Sequence, residues 1–150
     1  MSTASQLETL QTSAVSLIGN IDVLADVPCL YERMKNVSRE ITKAINTLKG
    51  IAMVVLTPVG RNTTPGAPVV NLDVKLVVEI AELVIINNGA NGTGIAASYC
   101  GEQVCAHLQH KPWKEGKTLV CEELRLRPHK TYVVYRAVFG TGVQLEALTE

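Results

Sequence analysis

Gly89, Gly92 and Gly94 lie between an apolar run and a helical pattern, where free backbone amides and a helix N-terminus can hold an anion. The loop lacks the Gly-Lys-Ser/Thr end of a phosphate loop, and its Gly-x-x-Gly-x-Gly spacing is not the dinucleotide fingerprint. A plain turn, with Thr93 or Asn91 capping the next helix, accounts for the same residues. Cys100, Cys105, His107 and His110 fall in one helical stretch and are the usual zinc ligand types. At about 100° per residue Cys100 and His107 share a face, but Cys105 lies ~140° from Cys100 and His110 ~80° off, so the set does not converge. A site would need Cys29, Cys121 or His129 from elsewhere. A cysteine nucleophile needs a base and an orienting partner, and no cysteine here sits in a local signature such as Gly-x-Cys-x-Gly. Glu122 and Glu123 are adjacent, which places them on opposite faces of a strand and suits solvation rather than shared proton chemistry. These residues predict no catalytic, metal or cofactor site.

Two stretches are better suited to contact than to catalysis. Thr57 to Pro68 holds three prolines, two glycines and no hydrophobic period, the pattern of a projecting loop. A loop that long in a small domain is usually functional or disordered, and docking onto a partner is its natural use, which makes Pro58, Arg61, Asn62, Thr63, Thr64 and Pro65 candidate protein contacts. Arg125, Arg127, His129, Lys130 and Arg136 concentrate near a second hairpin, either as an anion-facing patch or as a solvated hairpin end.

The elements that must position these stretches follow from periodicity. Leu7, Leu10, Ala14, Leu17 and Ile18 recur at helical spacing behind the capping candidates Ser2, Thr3 and Ser5, with Gly19-Asn20 as a stop. Val27–Tyr31 is short and β-leaning, and Pro28 suits an edge. Ser38–Lys49 predicts a second helix with Ile41, Ala44, Ile45 and Leu48 on one face, ended by Gly50. Ile51–Leu56 reads as a buried strand. Leu72, Val74, Leu76, Val78 and Ile80 alternate with Asp73, Lys75, Val77 and Glu79, the period of a half-buried strand. Together these predict a long hairpin from about residue 51 to Ile86, with a bulge at Leu83 and Ile85. Ile95, Tyr99, Val104, Cys105 and Leu108 line up as a third helix ending before Pro112, with Trp113 following at once. Leu119–Leu126 and Tyr132–Phe139 form a second hairpin, and the tail after Gly140 is expected to fray.

The chain has 150 residues, the size of one domain. Its fold class is α+β, with an antiparallel or mixed sheet of about four to five strands in two hairpins and about three helices mainly on one face. Fourteen basic and fourteen acidic side chains cancel, giving no general attraction to phosphate backbones or anionic lipid. Aromatic residues at 4% are too few for base-stacking platforms. The N-terminus lacks the basic and apolar regions of a secretory signal, and the longest apolar stretch, Leu76–Ile86, is about half the ~20 residues a membrane helix needs. The four cysteines are expected to be reduced.

The helix 38–49, the run Gly-Ile-Ala-Met-Val-Val-Leu-Thr-Pro58, the loop, the strand Val-Val-Asn-Leu-Asp-Val-Lys-Leu-Val-Val-Glu-Ile80, the helix 94–110 with Trp113 and the final hairpin together resemble the tail terminator (tail completion) proteins of long-tailed phages and prophages. The resemblance lies in the order and texture of the elements, not in a diagnostic motif. It implies a non-enzymatic virion subunit without cofactor, made in the host cytoplasm. Such a subunit forms a ring, typically a hexamer, on the last ring of the tail tube, contacting the tube protein and the head-tail connector while DNA passes through. Alternatives are another head-tail joining or tube component, a small cytosolic enzyme, or a ligand-binding module. On the terminator reading, the loop 57–68 and the edge hairpin 119–139, with Arg125, Arg127, His129 and Lys130, are the candidate subunit or tube contacts.

Overall fold

The computed structural model describes residues 5–145. α1 (Gln6–Gly19) leads through a 3-10 turn at Asp22–Leu24 to β1 (Cys29–Tyr31) and α2 (Val37–Lys43), which runs into a π-helical turn at Ala44–Leu48. Then come β2 (Ile51–Val55), β3 (Val59–Asn62), β4 (Val70–Glu82), α3 (Val84–Asn87) and α4 (Ala97–Leu108). A small ribbon of β5 (Pro112–Lys114) and β6 (Lys117–Thr118) precedes the final hairpin of β7 (Val120–Arg127) and β8 (Val133–Leu145). This is the expected α+β class, with a mixed six-stranded sheet in the order β1-β2-β4-β8-β7 and β3 paired to β4. Among the described residues no helix is long and apolar enough to cross a membrane.

β4 is the axis of the sheet. β8 pairs with it along its whole length, from Val70↔Leu145 to Glu82↔Val133. Its other edge is shared, with β2 on residues 78–82 and β3 on residues 72–75. The predicted long hairpin is therefore present, with its first strand broken at Leu56–Pro58. Its closing bulge is not. The strand stops at Glu82, and Val84–Asn87 turn into a single helical turn that leaves Ile85 78% exposed.

Alternation along β4 buries Val74, Leu76, Val78 and Ile80 completely. They meet Leu10, Ala14 and Ile18 of α1, Cys100, Val104 and Leu108 of α4, and Phe139 of β8. Among the described residues the opposite face is covered only at its β2 end, where Ile41, Ala44 and Ile45 pack on Ala52 and Ala81. Leu48, expected on that apolar face, is 47% exposed, because the π-helical turn widens the repeat and shifts its phase. Ser5 caps α1 as its spacing suggests, its Oγ accepting from Glu8 N at 3.0 Å, while Ser2 and Thr3 lie outside the described residues. Gln11 is buried in α1 and donates to Val55 O at 2.9 Å, tying helix to sheet.

Two expectations about irregular segments change. The stretch 57–68 is not one loop, since Val59–Asn62 pair with Leu72–Lys75 as β3, leaving a turn only at 63–69. The residues after Gly140 do not fray before Leu145, because Thr141–Leu145 pair with Val70–Val74; residues 146–150 lie outside the described residues. Prolines and glycines hid the first strand, and the short glycine-rich run Gly-Thr-Gly hid the second. Both are held by the long partner β4 rather than by their own propensity.

Candidate functional site

The loop that invited an anion is filled by the protein's own side chains. Glu82, buried at the end of β4, accepts from Ala97 N at 2.9 Å, so a carboxylate already occupies the N-terminus of α4. Asn87, also buried, donates to Glu82 Oε2 at 2.7 Å and to Ile95 O at 2.8 Å. Its Oδ1 accepts from the Thr93 hydroxyl at 2.6 Å, Thr93 N at 3.1 Å and Gly94 N at 3.2 Å. Neither Thr93 nor Asn91 caps the helix: the N-cap position is Ala96, without a side-chain bond, and the long reach of Glu82 takes over that role. Sequence spacing could not show this, because Glu82 and Ala97 are far apart in the chain.

The cysteine and histidine candidates do not meet as a site. Cys100 is fully buried against the core, whereas His107 and His110 are exposed, so the face shared by Cys100 and His107 on a helical wheel is not a shared environment. Among the described residues no group of three or more His, Cys, Asp or Glu could hold a metal ion. All four cysteines are free thiols. Burial pushes the Cys29 and Cys100 thiols up to about 12. Burial, and then the neighbouring Cys121 thiol, push Cys105 up to about 12 as well. These environments favour the thiol over the thiolate a nucleophile needs. Iodoacetamide at pH 8 is expected to leave Cys29 and Cys100 unmodified in the native protein and to label both after denaturation. Rapid native labelling of Cys100, followed by peptide mass mapping, would contradict its burial.

Glu122 and Glu123 stand on the same side of the sheet, contrary to simple alternation. A register shift between Cys121 and Glu123 inserts Glu122 as an extra residue, and a bulge of this kind re-aims a side chain. Glu122 meets Lys75 at 2.5 Å on the uncovered face, and Glu123 meets Arg125 at 3.1 Å. The Glu122 hydrogen bond is the main reason the Lys75 ammonium is held above its usual range.

The basic hairpin is partly neutralised. Arg127 and Arg136 both bond Glu79, at 3.2 and 2.7 Å. The ring Nδ1 of His129 accepts from Thr131 N and Tyr132 N at 3.1 and 3.2 Å, so it shapes the turn. Lys130 is exposed and makes no ion pair among the described residues. β7 does form an outer edge of the sheet, as expected of this hairpin.

Of the predicted loop contacts, Arg61, Asn62, Thr63 and Pro65 are exposed, but Pro58 is buried and Thr64 half-buried. Asn62 Oδ1 accepts from Thr64 N at 3.0 Å to start the turn. Glu32 accepts from Thr57 N at 2.9 Å, which fixes the break before β3 and holds the Glu32 carboxyl below its usual range.

The structure adds a surface the sequence did not announce. β3, the first half of β4 and the second half of β8 form a three-stranded extension. β7 starts opposite Gly140, so among the described residues no strand pairs with the far side of β8 from Thr141 onward. There an open groove of about 580 Å³ is lined by Asn71, Asp73, Thr118, Glu122, Gly140 and Gly142, among others. Thr141 and Thr118 of its wall are held by Trp113 from behind: Nε1 donates to Thr141 Oγ1 at 2.9 Å, and that hydroxyl donates to Thr118 O at 2.8 Å, clipping the β5–β6 ribbon to β8. No protein-family model matches the chain, and no curated protein matches it.

Proposed function

We propose that this chain is a structural subunit of a phage or prophage tail, of the terminator kind, that forms a ring capping the tail tube and meeting the head connector. The observation that carries this reading is a pair of different open edges on opposite sides of one sheet, β3 on one side and β7 with the end of β8 on the other. Two non-equivalent edges make head-to-tail contacts, and these close into a ring when the rotation per subunit divides a full turn. Exposed strand edges are otherwise a hazard that single-chain proteins suppress. The order of helix, long hairpin, helix and final hairpin supports the same reading through its resemblance to terminators. The partners would be further copies of the chain, the tube protein and the connector, with neither catalysis nor a cofactor.

The test is mass and shape over a concentration series, by light scattering with negative-stain images, alone and with purified tail tubes. Closed rings are the expected result, and replacing the four cysteines by serine is expected to leave ring size unchanged. Open filaments would point to a tube component instead. A monomer under every condition, including with tubes present, would overturn the reading.

A further inference from the structure

Hydrogen bonding shows which backbone groups of the two free edges face outward. Thr63 N donates to Asn71 O at 2.9 Å, so residue 63 faces β4. By alternation Arg61 and Val59 do the same, and the N–H and C=O of Gly60 and Asn62 point away from the sheet. On β8, Gln144 O accepts from Gln6 Nε2 at 3.0 Å, so Gln144 faces away from β4, and Gly142 with it. Both edges are exposed, and each carries a glycine at an outward position.

We propose that one copy of this chain adds its β3 edge, in parallel, to the free second half of β8 on the next copy, with Gly142 opposite Arg61. This rests on the ring reading and specifies its interface. The direction follows from the fold, because β3 and β8 are each antiparallel to β4 and rotation about an axis along the strands keeps equivalent strands parallel. With Gly142 opposite Arg61 of the incoming copy, Gly142 N–H reaches Gly60 O, Asn62 N–H reaches Gly142 O, and Gln144 N–H reaches Asn62 O.

Charge fits the same register. Asp73 is directly across from Gly142 on one side and from Arg61 of its own chain on the other. Arg61 is exposed and makes no ion pair among the described residues. Gly142 has no side chain to intervene, so the incoming Arg61 can extend over it toward Asp73 and Glu122, which both line the groove. Among the described residues those two carboxylates share only Lys75, at 3.7 and 2.5 Å, and Lys117 is the cation on the groove wall.

Proline replaces an amide, and at Gly60 or Gly142 that amide points outward, so the intrachain ladder survives. Gly60→Pro and Gly142→Pro are each expected to abolish rings, by native mass spectrometry, while the unfolding transition stays cooperative. An equimolar mixture of the two is expected to stop at dimers, because only one pair of intact edges remains. Arg61→Glu, which breaks no side-chain bond among the described residues, is expected to raise the concentration at which rings dissociate at least tenfold. Rings of wild-type stability in any of these variants would overturn the edge pairing while leaving the ring reading in place. A wild-type chain that forms no ring alone or on tail tubes would overturn both.

Discussion

Asn87→Ala is expected to destabilise the protein by about 3 kcal/mol or more, because among the described residues its buried amide is the side chain that links the end of β4 to the glycine loop. Removal leaves Ile95 O, Thr93 N and the Thr93 hydroxyl short of a partner and takes the donor from Glu82 Oε2, while Gly94 N keeps its bond to Asn87 O. Each buried group left unsatisfied costs roughly 1–3 kcal/mol, softened where water enters. In a domain of this size the midpoint of thermal unfolding should fall by about 6–12 °C. Asn87→Asp sharpens the test, since it sets a second carboxylate where Nδ2 now stands 2.7 Å from Glu82 Oε2. Two carboxylates so close resist double ionisation, which raises a carboxyl pKa in the folded state. Sites with raised folded pKa values favour the fold below those values and disfavour it above them, so the deficit of Asn87→Asp should be largest near pH 8 and shrink toward pH 5. A loss under about 1 kcal/mol for Asn87→Ala in denaturant titration would mean the loop is held by its backbone alone.

Gly50→Ala should cost roughly 2–5 kcal/mol, the sum of a left-handed conformation and a backbone clash. Gly50 has φ +78°, and a Cβ there would lie 2.2 Å from Asn87 N and 2.5 Å from its Cα. Because the obstacle is backbone, it cannot rotate away as a side chain would. Gly50 O also accepts from Leu83 N at 2.7 Å, so the residue joins the start of β2 to the turn after β4. Gly19→Ala is the control, with open space at its Cβ, and should change stability by no more than about 1 kcal/mol, in the stabilising direction. Equal effects at the two positions would show that the close approach at Gly50 relaxes.

Local signals identified the regular elements well. The alternation of Leu72 to Ile80, the helical spacing of Leu7 to Ile18 and the terminal hairpin all reappear where their periods place them, because each pattern reports burial against one side of the chain. Of the hairpin expected at an edge, β7 is the edge strand and β8 lies inside the sheet. The breaks were less legible. Nothing in Ala44–Leu48 announces a π-helical turn, and the register shift at Glu122 is set by β8, so the facing of Leu48 and of the two glutamates came out reversed.

What the sequence by itself determined is the α+β class, the neutral charge balance and the identity of most core side chains, since composition and periodicity act through hydrophobic burial that neighbours in the chain share. Only the tertiary structure decided what stands at the surfaces that matter. It filled the glycine loop with Glu82 and Asn87, turned the proline-rich stretch into β3, extended β8 to Leu145, and left Gly60 and Gly142 facing outward on opposite edges. These outcomes depend on hydrogen bonds between residues distant in the chain, and a one-residue change of register would exchange every inward group for an outward one.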